Sequence, residues 1–293
     1  MSTFPITSPG PLLPLDAPLP QPRKYTLLDT AQIVASPDNR WLAGAWINGY
    51  PSGRPQTHDP CSDGTFRLKS ADAESARPMA GAFTVVQGGS CTARTIGVNS
   101  AWYTDRLALA FQAVESTAVE RVFLDGDGHS TLGAYVSDAN LDILASGAAQ
   151  ARREGLALLE NAIGEVGAGI IHITPALAAI WAGDYLIGVA RDGLMRTLGN
   201  GTLVVVGAGY IGVSPDAQHG FTSSQEWAYA TGFVQVRRDD VTILPGQYSQ
   251  ALDRSTNEIT FYAERDYLLS WVGRQDGSDD EHIQAAVLID RTT

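Results

Sequence analysis

Leu203 to Gly212 reads Leu-Val-Val-Val-Gly-Ala-Gly-Tyr-Ile-Gly, an apolar strand running into G-x-G-x-x-G. Those residue types at that spacing can hold a dinucleotide. The glycines turn the backbone tightly and let it approach a pyrophosphate, which sits on the N-terminus of the following helix. That helix is what the next residues fail to provide. Val213, Ser214, Pro215 and Asp216 follow, then Ala217 to Gly220, with no apolar stripe at helical spacing, and Pro215 and Gly220 both oppose a helix. No strand ending in Asp or Glu follows about 20 residues on, where a ribose would be held. The expectation is a buried strand leaving through a glycine-rich bend. A dinucleotide-dependent oxidoreductase using residues 203–212 is the alternative.

Other reactive residue types are scattered. The histidines stand at positions 58, 129, 172, 219 and 282. His172 alternates with Ile171 and Ile173, so it faces the opposite side of its strand, and a satisfied structural histidine is expected there rather than a base. Asp125-Gly-Asp127-Gly resembles the start of a calcium loop, but Val136 stands where the closing glutamate belongs, so a helix-ending loop is expected. Gly88-Gly-Ser-Cys91 would need a partner base, and none stands at a recognisable spacing. Cys61 and Cys91 are the only cysteines. Neither has metal-ligand spacing, and a disulfide and two free thiols both remain open, with reduced thiols in a cytosol the more natural reading. No P-loop, paired zinc motif or nucleophile elbow occurs. No catalytic, cofactor-binding or metal residue is therefore assigned, and no enzyme is expected.

The elements that would position these residues fall into three zones. Residues 1–22 hold seven of the fifteen prolines together with Leu12, Leu13, Leu15 and Leu19, which predicts an extended arm that orders on a neighbour. Residues 41–98 are rich in Gly, Pro, Ser and Asp, with strand-like runs at 41–47, 65–69 and 82–87, and read as a projecting β-loop. Helices follow. Leu107, Ala110, Phe111, Val114, Ala118 and Val122 recur at three-and-four spacing and predict a helix over 104–123. Glu115, Glu120 and Arg121 fall outside that stripe, which reads as a surface helix resting on a sheet or neighbour. A second helix is expected over 146–163. A strand over 170–173 leads to Thr174 as N-cap and Pro175 as first helical residue of a short helix ending at Gly183. The last third is β-rich, with strands expected at 203–206, 227–237, 241–244, 258–263, 267–272 and 283–290.

Composition limits the partners. The chain has 293 residues, a net charge of −12 and 18% charged residues. That balance argues against phosphate-gripping nucleic-acid proteins and against anionic membrane surfaces. No run of about 18 apolar residues is present, so no transmembrane helix is expected, and no signal peptide pattern opens the chain. Lys24 and Lys69 are the only lysines and the other 18 cations are arginine, which suits ion pairs and interfaces. The abundant glycine and low charge suggest surface covered by other copies of the chain.

Taken in order, these pieces resemble the major capsid proteins of tailed bacteriophages, the Hong Kong 97 type fold, and in particular those of phages infecting actinobacteria. The phrases that carry the resemblance run over about residues 80–290. They are Phe83-Thr-Val-Val with Gly89-Ser-Cys91, Ala113 to Glu120 ending at Gly126, Gly169-Ile-Ile-His-Ile-Thr-Pro175, Thr197-Leu-Gly with Val204 to Tyr210, Ala228 to Gly232, Ala251 to Asn257 and Ala263-Glu-Arg265. The resemblance implies an α+β capsid fold with an N-terminal arm (1–45) and an extended β-loop (46–98). A spine helix with a peripheral domain (99–167), an axial domain (168–222) and peripheral return strands (223–293) would follow. It implies hexamers and pentamers closing into an icosahedral head around double-stranded DNA without specific binding, in a virion assembled in the host cytoplasm. Portal, separate scaffolding protein and optional cement proteins would be partners, with no membrane. A decoration or connector protein of the same phage is the nearer alternative. Some members carry an N-terminal scaffolding domain, which the proline arm at Met1 does not resemble, so a separate scaffold is implied. Others cross-link through a loop lysine; Lys69 is the residue at that place, and an ordinary solvated charge is expected of it.

Overall fold

The computed structural model describes residues 18, 20–35, 39–46, 79–92, 100–128, 135–137, 141–164, 169–215, 219–256, 258–271 and 284–293. Lys69, Cys61, His58, His129, His282, the run 65–69 and most of the proline arm lie outside these residues.

In chain order the helices are α1 (Leu27–Thr30), α2 (Ser100–Asp125), α3 (Arg152–Gly164), α4 (Pro175–Gly183) and α5 (Tyr248–Ala251). The strands begin with β1 (Gln32–Val34), β2 (Ala45–Trp46), β3 (Met79–Ala80), β4 (Ala82–Thr92) and β5 (Asp142–Ile143). They continue with β6 (Ile170–Ile173), β7 (Ile187–Val189), β8 (Met195–Thr197), β9 (Leu203–Val206) and β10 (Gln225–Thr231). The last are β11 (Val234–Arg238), β12 (Thr242–Leu244), β13 (Leu252–Asp253), β14 (Glu258–Trp271) and β15 (Gln284–Asp290).

Two sheets form the body. The first is built on β14, which pairs with β4 over 258–268 on one edge. On its other edge β13, β12 and β11 are laid one after another, and β1 adds to β11 in parallel. The second sheet runs β5-β15-β10-β6-β9-β8-β7. Its strands draw on both sides of residue 222. Its central members are almost wholly apolar because both faces are covered. Ile170, Val205, Trp227, Tyr229, Ala286 and Leu288 face the core shared with α2 and the first sheet. Ile171, Ile173, Val204, Ala228, Val287 and Ile289 face α3 and α4.

Several boundaries differ from the sequence expectation for local reasons. The strand expected at 227–237 is two strands in different sheets, because Gly232 and Phe233 carry the chain from β10 to β11. The two strands expected at 258–263 and 267–272 are one, since Glu264, Arg265 and Asp266 all pair with β4, and no Gly or Pro stands between them to turn the chain. Gly88-Gly-Ser-Cys91 lies inside β4, not in a loop: Gly88 sits opposite Tyr262 and Gly89 opposite Phe261. An added Cβ on Gly88 would lie 3.1 Å from the Tyr262 ring. Helix α3 starts at Arg152 and not near Ser146, because Ala145, Ser146 and Gly147 have positive φ and form a tight 3-10 turn. Of the run at 41–47, residues 41–46 are the end of a 3-10 turn over Asn39–Ala43 and then the two-residue β2, and Ile47 lies outside the described residues. Thr174 caps α4 as its sequence predicts, accepting from the Leu177 amide at 3.2 Å.

Helix α2 is the largest correction. Glu115 and Glu120, expected in solvent, are buried, while Val114, expected in the apolar stripe, is 49% exposed. The helix is packed on two sides, against β4 and β14 and against the turn after β9, so its buried surface is wider than one stripe.

Candidate functional site

The glycine motif ends up against α2. After β9 the chain makes a 3-10 turn over Ala208–Tyr210, and among the described residues no helix follows before β10. The three glycines have separate reasons. A Cβ on Gly209 would lie 2.6 Å from the Thr117 carbonyl oxygen and 2.7 Å from the Arg121 nitrogen, both backbone atoms of α2. A Cβ on Gly207 would lie 2.4 Å from the Tyr210 ring and 2.8 Å from the Glu120 carboxyl carbon. Gly212 instead has φ +74° with open space around it, the left-handed conformation that glycine tolerates. The first two glycines let the turn lie on the helix, and the third reverses the chain.

What the turn approaches is an anion, but one from the chain itself. Glu120, fully buried, accepts the Gly209 amide on Oε2 at 3.0 Å and the Leu27 amide on Oε1 at 3.2 Å. Three neighbouring amides are also taken: Gly207 donates to the Ile173 carbonyl, Ile211 to that of Ala208 and Val213 to that of Tyr210. These amides are therefore already bonded within the chain and are not open to an outside anion. Burial dominates the carboxyl and pushes its pKa from 4.5 up to about 7, against the opposing pull of the amides and the Arg23 charge. The Leu27 segment is held there from two directions, because the last amide of β9, Val206, donates to the Tyr25 carbonyl at 2.7 Å. Tyr25 has φ +64°, a conformation that costs a non-glycine residue roughly 1–2 kcal/mol.

His172 lies one residue behind this contact. Its Nδ1 is 3.0 Å from the Tyr210 hydroxyl and its Nε2 is 2.8 Å from Thr231 Oγ1. Thr231 donates its own proton to the Gly232 carbonyl, so Thr231 accepts from His172 and the Nε2–H tautomer is assigned. Tyr210 then donates to Nδ1. The ring is neutral, with burial holding its pKa down at about 3. Burial and the neighbouring Glu120 push the Tyr210 phenol well up. The histidine is a satisfied structural residue, as its place on the strand predicts.

Glu115 makes a second buried contact on α2. Arg265 Nη1 donates to its Oε2 at 2.7 Å, the Tyr267 hydroxyl donates to the same oxygen, and Arg238 stands 4.0 Å from Oε1. These are groups of β14 and β11, so this contact ties the helix to the first sheet. The Tyr267 phenol is pushed up by burial and by Glu115. Neither glutamate was singled out from the sequence. A usable signal was present: Phe123 and Leu124, both buried, follow Glu120 by three and four positions and share its helix face.

The arrangement binds elements of the chain to one another. Among the described residues no group of three or more His, Cys, Asp or Glu side chains could hold a metal ion. No helix among them is long and apolar enough to cross a membrane. Asp125 and Asp127 lie at the end of α2 and in the 3-10 turn after it, where the Asp125 carboxylate accepts the Asp127 amide at 2.9 Å.

No protein-family model and no curated protein sequence matches the chain. Solved structures do. A structure from Mycobacterium phage Bobi is 12% identical with a TM-score of 0.55, covering 97% of this chain and 96% of that one. The capsid of the native GTA particle, computed with C5 symmetry, is 12% identical with a TM-score of 0.52 and covers 97% and 96%. The holo-SrpI encapsulin complex of Synechococcus elongatus is 9% identical with a TM-score of 0.56 and covers 96% and 94%. The likeness extends over nearly the whole of each chain and lies in the α+β architecture, so this protein has the Hong Kong 97 type fold, a structural fold shared by capsids and encapsulins.

Proposed function

We propose that the chain is the major capsid protein of a tailed double-stranded DNA bacteriophage, forming hexamers and pentamers that close into an icosahedral head. The observation that carries this is the end-to-end match to the structures named above, in which neither chain has a large unmatched domain. In this reading 1–45 is an arm, 46–98 an extended loop, and 99–167 the spine helix α2 with a peripheral domain. Residues 168–222 form an axial domain, which β10 completes by pairing with β6 and β15 by pairing with β10, and the rest of 223–293 returns to the peripheral domain. The shell is non-enzymatic and encloses DNA without gripping it, consistent with the net charge of −12. Scaffolding protein and portal are separate partners.

The surface supports self-association. Among the described residues strand β7 is an open edge of the second sheet, and Tyr185, Val189 and Leu198 around it are 82%, 56% and 59% exposed. Apolar side chains grouped on an unpaired edge mark a surface that a monomer does not leave bare. The encapsulin reading is second, supported by the SrpI match. Electron microscopy of the chain expressed alone and with a scaffold separates the readings. Capsomers that close only with scaffold support the phage head, small closed shells formed alone favour the encapsulin, and a discrete monomer under both conditions overturns both.

A further inference from the structure

We propose that Glu120 is a proton-controlled latch: with a proton bound it keeps the Leu27 segment and the 207–210 turn seated on α2, and on losing the proton it lets them part. The geometry carries the proposal. One fully buried carboxyl group is the meeting point of two backbone segments, from 93 and 89 residues away in sequence. No guanidinium or ammonium group donates a hydrogen bond to it among the described residues. An ionised carboxylate in that place has lost its water and has only amides in exchange. Separation of the segments returns water to it, so the charged form favours the open state and the protonated form favours the closed one.

The surrounding groups leave Glu120 as the one that responds near neutral pH. Arg23, on the arm, favours the carboxylate by its charge, and Tyr210, on the turn, is held neutral. His172, behind Tyr210, stays neutral down to about 3. Asp29 is turned to the Thr26 amide and hydroxyl. On α2 itself Arg121 points to the Ile211 carbonyl and to Asp125. The sign follows: the closed state has its carboxyl pKa at about 7 against 4.5 in water, so opening rises with pH by up to about tenfold per unit between those values and levels off above them. The left-handed Tyr25 beside the contact can relax when the segment leaves. The latch belongs to the single chain and does not depend on the assembly proposed above.

Hydrogen-exchange mass spectrometry of the full chain tests it, with rates corrected for the intrinsic effect of pH. Peptides containing Leu27 and Gly209 are expected to open several-fold more for each pH unit from 5 to 7 and to level off above 7. Glu120→Gln, which keeps the shape and cannot ionise, should show a flat profile. A glutamine variant that follows the wild-type profile, or wild-type protection that increases with pH, overturns the proposal. If the variant does not fold, the wild-type chain decides alone. Loss of protection confined to the two peptides supports the latch, and an equal loss in peptides from 258–271 overturns it.

Discussion

Glu115 and Glu120 lie on one helix and are both buried, yet their surroundings are of opposite kinds. Glu115 faces the first sheet and meets cations: Arg265 at 2.7 Å, with Arg238 farther off. Glu120 faces the glycine turn and the Leu27 segment and is hydrogen-bonded by amides alone, with Arg23 acting on it only through its charge. A carboxylate neutralised by a buried guanidinium forms a joint that is stiff and costly to break. One held by amides remains chemically adjustable, because its proton is the only charge compensation within bonding distance. One helix thus carries a fixed joint on one side and a titratable one on the other.

The largest break in this contrast is expected from Gly209→Ala. Its new Cβ would meet helix backbone, which cannot move aside, so a loss of about 3 kcal/mol or more, or failure to fold, is expected in thermal unfolding. Gly212→Ala meets nothing and should cost about 1 kcal/mol from its positive φ alone. Next comes Glu115→Ala, which strands Arg265 and should lose about 3 kcal/mol in denaturant titration. Replacing the pair together, Glu115→Leu with Arg265→Met, should recover most of it. Equal losses in the single and double variants would show that the ion pair is not what holds this side.

Glu120→Gln sharpens the other side through pH. Below 4.5 the wild type has its full benefit from the raised carboxyl, and it loses that benefit as pH rises through about 7. The glutamine variant should therefore gain relative to wild type by up to about 1.4 kcal/mol per pH unit across that window. His172 acts in the opposite sense: its depressed pKa means stability is full above 6.5 and falls as pH falls toward about 3. In the wild type the two slopes oppose each other between 4.5 and 6.5, so the variant should lose stability in acid more steeply. The smallest effect is Arg238→Gln, at 4.0 Å and partly exposed, which should change stability by less than about 0.5 kcal/mol.

Legibility in the sequence followed the range of the forces involved. Strand β6, the Thr174-Pro175 start of α4 and strand β9 were readable because each is set by neighbours within four residues. The motif at 203–212 was correctly denied a cofactor helix, yet its purpose was hidden, since the anion it meets is 89 residues away. The split at Gly232 and the fusion of β14 were missed for a similar reason. Whether a strand continues is decided by its partner, and β4 supplies that partner from more than 160 positions earlier. Glu120 was misread as solvated because a charged residue is usually outside, although Phe123 and Leu124 shared its face.

Strand β14 has a mechanical consequence. Its 14 residues span about 45 Å at the usual rise per residue, and β13, β12 and β11 all fasten along one side of it while β4 runs along the other. Tension applied to β1, which continues from the Leu27 segment and joins the same sheet through β11, passes into residues 267–271 of β14. Force in that direction loads the β1–β11 and β11–β14 ladders together in shear, where opening their hydrogen bonds one by one is not available. A pull on the N-terminal segment would sooner unseat the contact at Glu120 than tear the sheet.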